Sequence, residues 1–304
     1  MRLGYNGTGV VASASITRVR DDLQQAHDMG FSSYWLADHP TGGFDALTAL
    51  AIAGQSVQGI EIGTAIVPTM PRHPMALAAQ ALTTNQALEG RLTLGIGLSH
   101  ASMMAELGIG FDKPIRHLRE YLSILGPLLE TGSVDFEGEL LSCQATIFKP
   151  AQDSVSILVA ALGPQALKVA GRLSAGTTLA WVGPRTIAEH IVPTISEAAA
   201  AAGRDAPRIM ATLPVCVTQD ATAVREVIAK NLGSYGKLPS YRAMFDREGV
   251  AGPADVALVG SAAEVDERVS QLKAAGVTDF CPTIFALSAE DKAATHELLS
   301  KYVS

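Results

Sequence analysis

"SSYWLADHPTG", residues 32 to 42, is a short apolar run that stops abruptly on an acid and an imidazole. Tyr34, Trp35, Leu36 and Ala37 show no alternation with polar residues, which suits a strand covered on both faces, as in a parallel sheet wrapped by helices. Asp38, His39 and Pro40 then end the run, because aspartate favours strand ends and Pro40 imposes extended geometry on His39.

The same rhythm recurs along the chain. Seven further apolar runs follow it: "RLGY" (2–5), "IEIGTAIV" (60–67), "LTLGIGL" (92–98), "SILVAAL" (156–162), "TTLAWV" (177–182), "IMATLPVCV" (209–217) and "DFCPTIF" (279–285). Longer segments of helical periodicity lie between them, such as Arg18 to Met29 before Gly30 and His73 to Leu88 before Gly90. Eight strands alternating with helices predict an α/β fold, a closed (β/α)8 TIM barrel. Two stretches break the rhythm. Residues 99–154, after strand 4, hold two helices and a hairpin turning near Glu137 and Gly138; residues 233–260, after strand 7, read as a loop of the kind that forms lids.

With 304 residues and 48% hydrophobic composition, the chain is read as a single domain over 1–304. The formal charge of −7 and the scattered basic residues argue against nucleic acid or an anionic membrane as partner. Cys143, Cys216 and Cys281 are widely spaced in apolar contexts and read as core thiols, which fits a reducing cytosol. "MRLGYNGTGV" shows no basic segment leading into an apolar one, so a soluble cytoplasmic protein is expected.

Barrels of this kind place their chemistry at the C-terminal ends of the strands. Those ends are Asn6, Asp38 and His39, Thr64 to Pro68, Gly97 to His100, Ala160 to Gln165, Trp181, Pro214, and Pro282 to Phe285. "ADHP" is either a capping turn or an imidazole tuned by the adjacent carboxylate and poised over a ligand; its place at a strand end favours the second. "GTAIVPTMPRHP" (63–74) exposes backbone at Ala65, Ile66 and Val67, while "LGIGLSH" (94–100) offers small residues for close approach. In "AALGPQALKVAG" (160–171), Gly163 and Pro164 open a helix whose first amides, at Gln165 and Ala166, could hold a phosphate or simply belong to an ordinary strand-to-helix turn. No HxH or HExxH spacing marks a metal site, and no nucleophile elbow or GxxxxGK[ST] loop is present. His190 and His296 read as solvated helix positions.

In this order the segments resemble the bacterial-luciferase-like flavin enzymes, and in particular the branch that uses the 5-deazaflavin coenzyme F420. The resemblance runs from "DMGFSSYWLADH" to "ILVAALGPQALKVAG" and implies an F420-dependent oxidoreductase that moves a hydride between C5 of the deazaflavin and a small organic substrate. It makes Asp38 and His39 the acid–histidine pair beside the cofactor ring, with His39 handling the proton. Ala65, Ile66 and Val67 match the bulge behind the ring, which carries a non-prolyl cis peptide at Ala65–Ile66. Gly97, Leu98 and Ser99 match the loop after strand 4; Ala161, Gly163, Pro164 and Gln165 match the segment that holds the cofactor's side chain and phosphate. Relatives that oxidise sugar phosphates carry a tryptophan after the histidine and a glutamate after strand 4. Here those places read "PTGGFDAL" and "GLSHAS", which argues against such a substrate and leaves Ser99 or His100 in place of the acid. The alternatives are an FMN-dependent monooxygenase fed by a separate reductase and a non-catalytic flavin-binding barrel. A homodimer is expected from the likeness.

Overall fold

The computed structural model describes residues 1–39, 42, 44–148 and 154–303; Pro40, Thr41, Gly43, the tail of the first insertion at 149–153 and Ser304 lie outside them. Eight parallel strands close on one another: β1 (Arg2–Asn6), β2 (Ser33–Leu36), β3 (Glu61–Thr64), β4 (Leu92–Gly97), β5 (Ser156–Ala160), β6 (Gly176–Ala180), β7 (Arg208–Thr212) and β8 (Asp279–Phe280). Each pairs with its sequence neighbours, and β8 closes the ring on β1 through Phe280 and Leu3. Tyr34, Trp35 and Leu36 are buried, so β2 is enclosed on both faces, as its unbroken apolar run requires. Trp35, Leu158, Met210 and Cys281 pack together as one buried cluster drawn from β2, β5, β7 and the residue after β8.

Helix starts follow side-chain caps. Ser15 accepts from the Arg18 amide and Asp45 from the Thr48 amide, beginning Ile16–Asp28 and Ala46–Ala53. His73 is the cap of Pro74–Ala87 rather than its first residue. At the N-terminal end of the barrel, Arg208 donates to Glu61 at 2.9 Å and to Asp279 at 2.9 Å, with Arg2 joining both carboxylates. A cavity of about 1120 Å³ opens at this end, among Glu61, Arg91, Ser156, Arg204 and Arg208. It lies at the opposite end of the strands from the candidate residues.

Between β4 and β5 run the helices Ala101–Glu106 and Pro114–Glu130 and the hairpin Ser133–Glu137 with Ser142–Thr146. Glu120 fastens the hairpin's turn by accepting from the amides of Glu139, Leu140 and Leu141 at 3.2, 2.8 and 2.9 Å. The segment after β7 differs from the expected loop. It is mostly helical, with Ala221–Leu232, a 3₁₀ turn at Gly233–Lys237, Pro239–Glu248 and Pro253–Val256. Proline at the first turn of the last two helices leaves no wasted amide there, which is why a Pro- and Gly-rich stretch still folds as helix. Leu258–Gly260 then joins Pro214–Val217 and Thr283–Ile284 in a small parallel sheet.

Three side chains depart from expectation. His190 is buried rather than solvated, and both ring nitrogens of His296 are buried without a hydrogen-bond partner among the described residues. Cys143 sits half-buried on the hairpin, while Cys216 and Cys281 are core thiols. Among the described residues, no helix is long and apolar enough to cross a membrane.

Candidate active site

The end of β2 is stitched to the end of β3. The Ala65 amide donates to the Leu36 carbonyl at 2.7 Å, and the Asp38 amide donates to the Ile66 carbonyl at 3.1 Å. The peptide bond between Ala65 and Ile66 is cis, as the resemblance implied. Val67 and Pro68 then run beside β4, opposite Ile96 and Gly97, leaving Ala65 and Ile66 half-exposed at the barrel mouth and Val67 buried.

Asp38 is 7% exposed, and His39 beside it is open to solvent. The Asp38 carboxylate accepts from Arg72 Nη2 at 2.8 Å, and the same nitrogen donates to Asp45 at 2.7 Å. Burial lifts the Asp38 carboxyl above the usual carboxylate range, with the Arg72 charge pulling the other way. Asp45 is held below that range: burial is outweighed by hydrogen bonds from Thr48 and Gln80 and by the charge of Arg72. Arg72 lies in "PTMPRHP", and its role escapes a linear reading because both of its carboxylates belong to the chain after β2, 27 and 34 residues away.

Glycine does the joining at β4. A methyl group on Gly97 would sit 3.0 Å from Ala160 Cβ and 3.2 Å from the Ile66 side chain, so the ends of β3, β4 and β5 meet there. Deeper, Thr64 and Gly95 exchange hydrogen bonds at 2.8 and 3.0 Å through the Thr64 hydroxyl. Leu98, Ser99 and His100 follow, all half-exposed. Ser99, the second residue past β4, and Trp181, the first past β6, both take the left-handed backbone region, with φ of 61° and 59°. Non-glycine residues in that region are costly and gather at functional sites.

Past β5, Ala161 is buried and Gly163 caps the helix Pro164–Leu173 with no side-chain hydrogen bond. A Cβ on Gly163 would meet no atom within 4 Å, so there is room at the cap beside a first turn whose amides have no intrahelical partner. His190 donates from Nε2 to the Leu162 carbonyl at 2.9 Å and so pins the residue before this turn.

His39 and His100 stand within electrostatic reach of each other. Burial, reinforced by His39, holds the His100 imidazole below its ordinary value, which keeps it neutral near pH 7. Around His100 stand Tyr235 and Tyr241 from the segment after β7, with ring centroids 6.0 and 5.8 Å away. Trp181 lies 5.8 Å from Tyr235. The sequence reading missed both tyrosines, since only the folded insertion carries them back over the mouth; among the strand ends it had placed Trp181 correctly.

The sequence-predicted residues from Asp38 through Ala65–Val67 and Gly97–Ser99 to Ala161–Gln165 thus share one rim. Residues 2–279 match the family model described as luciferase-like monooxygenase, and the chain belongs to that family. It is 31% identical over 192 residues to an F420-dependent glucose-6-phosphate dehydrogenase of Microbacterium testaceum; the match spans 59% of this chain and little more than half, 57%, of that relative. It is 23% identical to a 5,10-methylenetetrahydromethanopterin reductase of Methanolobus tindarius, over 96% of this chain and 90% of the other. The solved structure of a coenzyme F420-dependent tetrahydromethanopterin reductase from Methanopyrus kandleri superposes with a TM-score of 0.82 at 21% identity, covering 99% of this chain and 98% of that one, which shows the shared fold.

Proposed function

We propose that the protein is an F420-dependent oxidoreductase that moves a hydride between C5 of the deazaflavin and a small organic substrate. The observation that supports this reading best is the continuous rim of Asp38, Ile66, Gly97, Ala160 and Gly163, half of it backbone, with an uncapped helix start at one end and an imidazole at the other. Such a rim suits a phosphate-bearing ring cofactor: Gly163 leaves room for an anion at the Gln165 and Ala166 amides, and Ala65 and Ile66 present main chain. The sequence relatives named for F420 chemistry point to the same group. When bound, F420 supplies two-electron hydride transfer, which the protein itself lacks a side chain to perform.

The residues divide the remaining work. Ala65, Ile66 and Val67 would back the ring, Gly97, Leu98 and Ser99 would border it, and Ala161, Gly163, Pro164 and Gln165 would hold its side chain. His39 holds or releases a proton at its imidazole, and Asp38, itself oriented by Arg72, fixes the local charge. Tyr235 and Tyr241, packed edge to face at 5.0 Å, would help to shield a bound ring from water.

Absorbance and fluorescence titrations with F420 and FMN test the reading. Saturable F420 binding and oxidation or reduction of the bound coenzyme by a screened alcohol, enone or imine are expected. Tight FMN binding with no response to reduced F420 would overturn it in favour of the monooxygenase chemistry that the family description carries.

A further inference from the structure

His100, Trp181, Tyr235 and Tyr241 come from three separate strand ends, yet their rings form one surface. Tyr235 and Tyr241 meet edge to face at 5.0 Å, Trp181 meets Tyr235 edge to face at 5.8 Å, and His100 touches both tyrosines. Three of the four contacts set a ring's positive edge against a neighbour's negative face, and the His100–Tyr241 pair is tilted at 57°, so the surface is held by its own contacts. His100, Tyr235 and Tyr241 remain half-exposed, while Trp181, in contact with Tyr235, is buried and supports the surface from within.

The chemistry of this wall is selective. The titratable groups facing His100 are His39, Tyr235 and Tyr241; burial raises both tyrosine hydroxyls and lowers the imidazole. His100, Tyr235 and Tyr241 therefore carry no full charge near pH 7. A neutral imidazole offers one N–H donor and one acceptor, the complement of a ketone or hydroxyl oxygen. An anion placed here would give up hydration against the negative faces of aromatic rings, with no lysine or arginine among these four side chains to compensate it. Flat molecules with π-faces gain most from such a wall.

We infer that the substrate of this mouth is an uncharged, planar unsaturated molecule with one ketone or hydroxyl oxygen, its face against Tyr235 and Tyr241 and its oxygen hydrogen-bonded to His100. The inference rests on the reading of the mouth as the redox site, and it narrows the substrate away from the sugar phosphate named in the Microbacterium relative.

Equilibrium binding of three matched probes, acetophenone, benzoate and ethylbenzene, measured on the whole protein with and without F420, tests it. Acetophenone is expected to bind at least about tenfold more tightly than benzoate, since a full charge against this wall loses more than the roughly 1.4 kcal/mol that a factor of ten represents. His100→Ala is expected to weaken acetophenone about tenfold and leave ethylbenzene, which lacks the oxygen, within about twofold. His100→Gln keeps a donor and an acceptor and should restore most of the affinity; it also serves if the alanine variant does not fold. Tyr235→Leu should weaken acetophenone and ethylbenzene alike. Equal binding of benzoate and acetophenone, or a His100→Ala loss equal for acetophenone and ethylbenzene, would overturn the inference. Failure to bind F420 alone would refute the cofactor reading, while the probe series without F420 still decides the wall.

Discussion

Replacing Arg72 with methionine removes the cation shared by Asp38 and Asp45 while keeping an apolar stem of similar length. The two carboxylates will not suffer equally. The Asp45 side chain is 33% exposed, so water takes over and the loss there is at most about 1 kcal/mol. The Asp38 side chain is only 6% exposed, and stripping the partner from a buried charge costs roughly 3–5 kcal/mol. Protonation sets a ceiling on that cost. Neutralising a carboxyl of unfolded pKa about 3.9 at pH 7 takes about 1.36 × 3.1, or roughly 4 kcal/mol, and at pH 4.5 only about 1 kcal/mol. Burial already holds the folded Asp38 pKa above its unfolded value, and loss of Arg72 raises it further. A carboxyl raised in this way contributes its stability fully below the unfolded pKa and loses it as pH rises through the folded one. Urea denaturation from pH 7 down to 4.5 should therefore show a gap between wild type and Arg72→Met of about 3–4 kcal/mol that narrows to about 1 kcal/mol on acidification. A gap below about 1 kcal/mol at pH 7, or one that does not narrow with acid, would refute the reasoning.

Gly95→Ala places a methyl group into the Thr64 carbonyl, which is backbone and cannot rotate away; a loss of at least about 2 kcal/mol in urea denaturation is expected, with weakened F420 binding as the Ala65–Ile66 segment shifts. Glu120→Gln can accept no more than part of the three amide hydrogen bonds at the hairpin turn and should cost about 2 kcal/mol at pH 7. Those amide bonds outweigh burial and hold the Glu120 carboxyl below its usual range, so its contribution is present above the unfolded pKa and lost as pH falls through the lower folded value; the gap between wild type and Glu120→Gln should begin to narrow as pH falls below about 4.3, the unfolded value. His39→Ala should lower turnover of a screened substrate by about 10²-fold or more while F420 affinity, read by fluorescence, changes by less than about tenfold.

The order of the elements was legible in the sequence because a closed parallel barrel buries both faces of every strand, and unbroken runs such as "SYWL" and "LTLGIG" can satisfy no other environment as well. Strand ends could then be read as a list of positions, and Asp38, His39, Ala65, Gly97 and Gly163 fall on one rim because barrel topology sends every βα loop to the same end. The segment after β7 was harder. Its glycines and prolines read as a loop, whereas Pro239 and Pro253 sit at first helical turns, where a missing amide costs nothing. Local sequence also could not show which distant charges would meet. That Arg72 bridges Asp38 and Asp45, that His190 pins the Leu162 carbonyl, and that Tyr235 and Tyr241 return to His100 all depend on chain closure across tens of residues. Periodicity records what each residue needs from its surroundings, and only the packed barrel settles which partner supplies it.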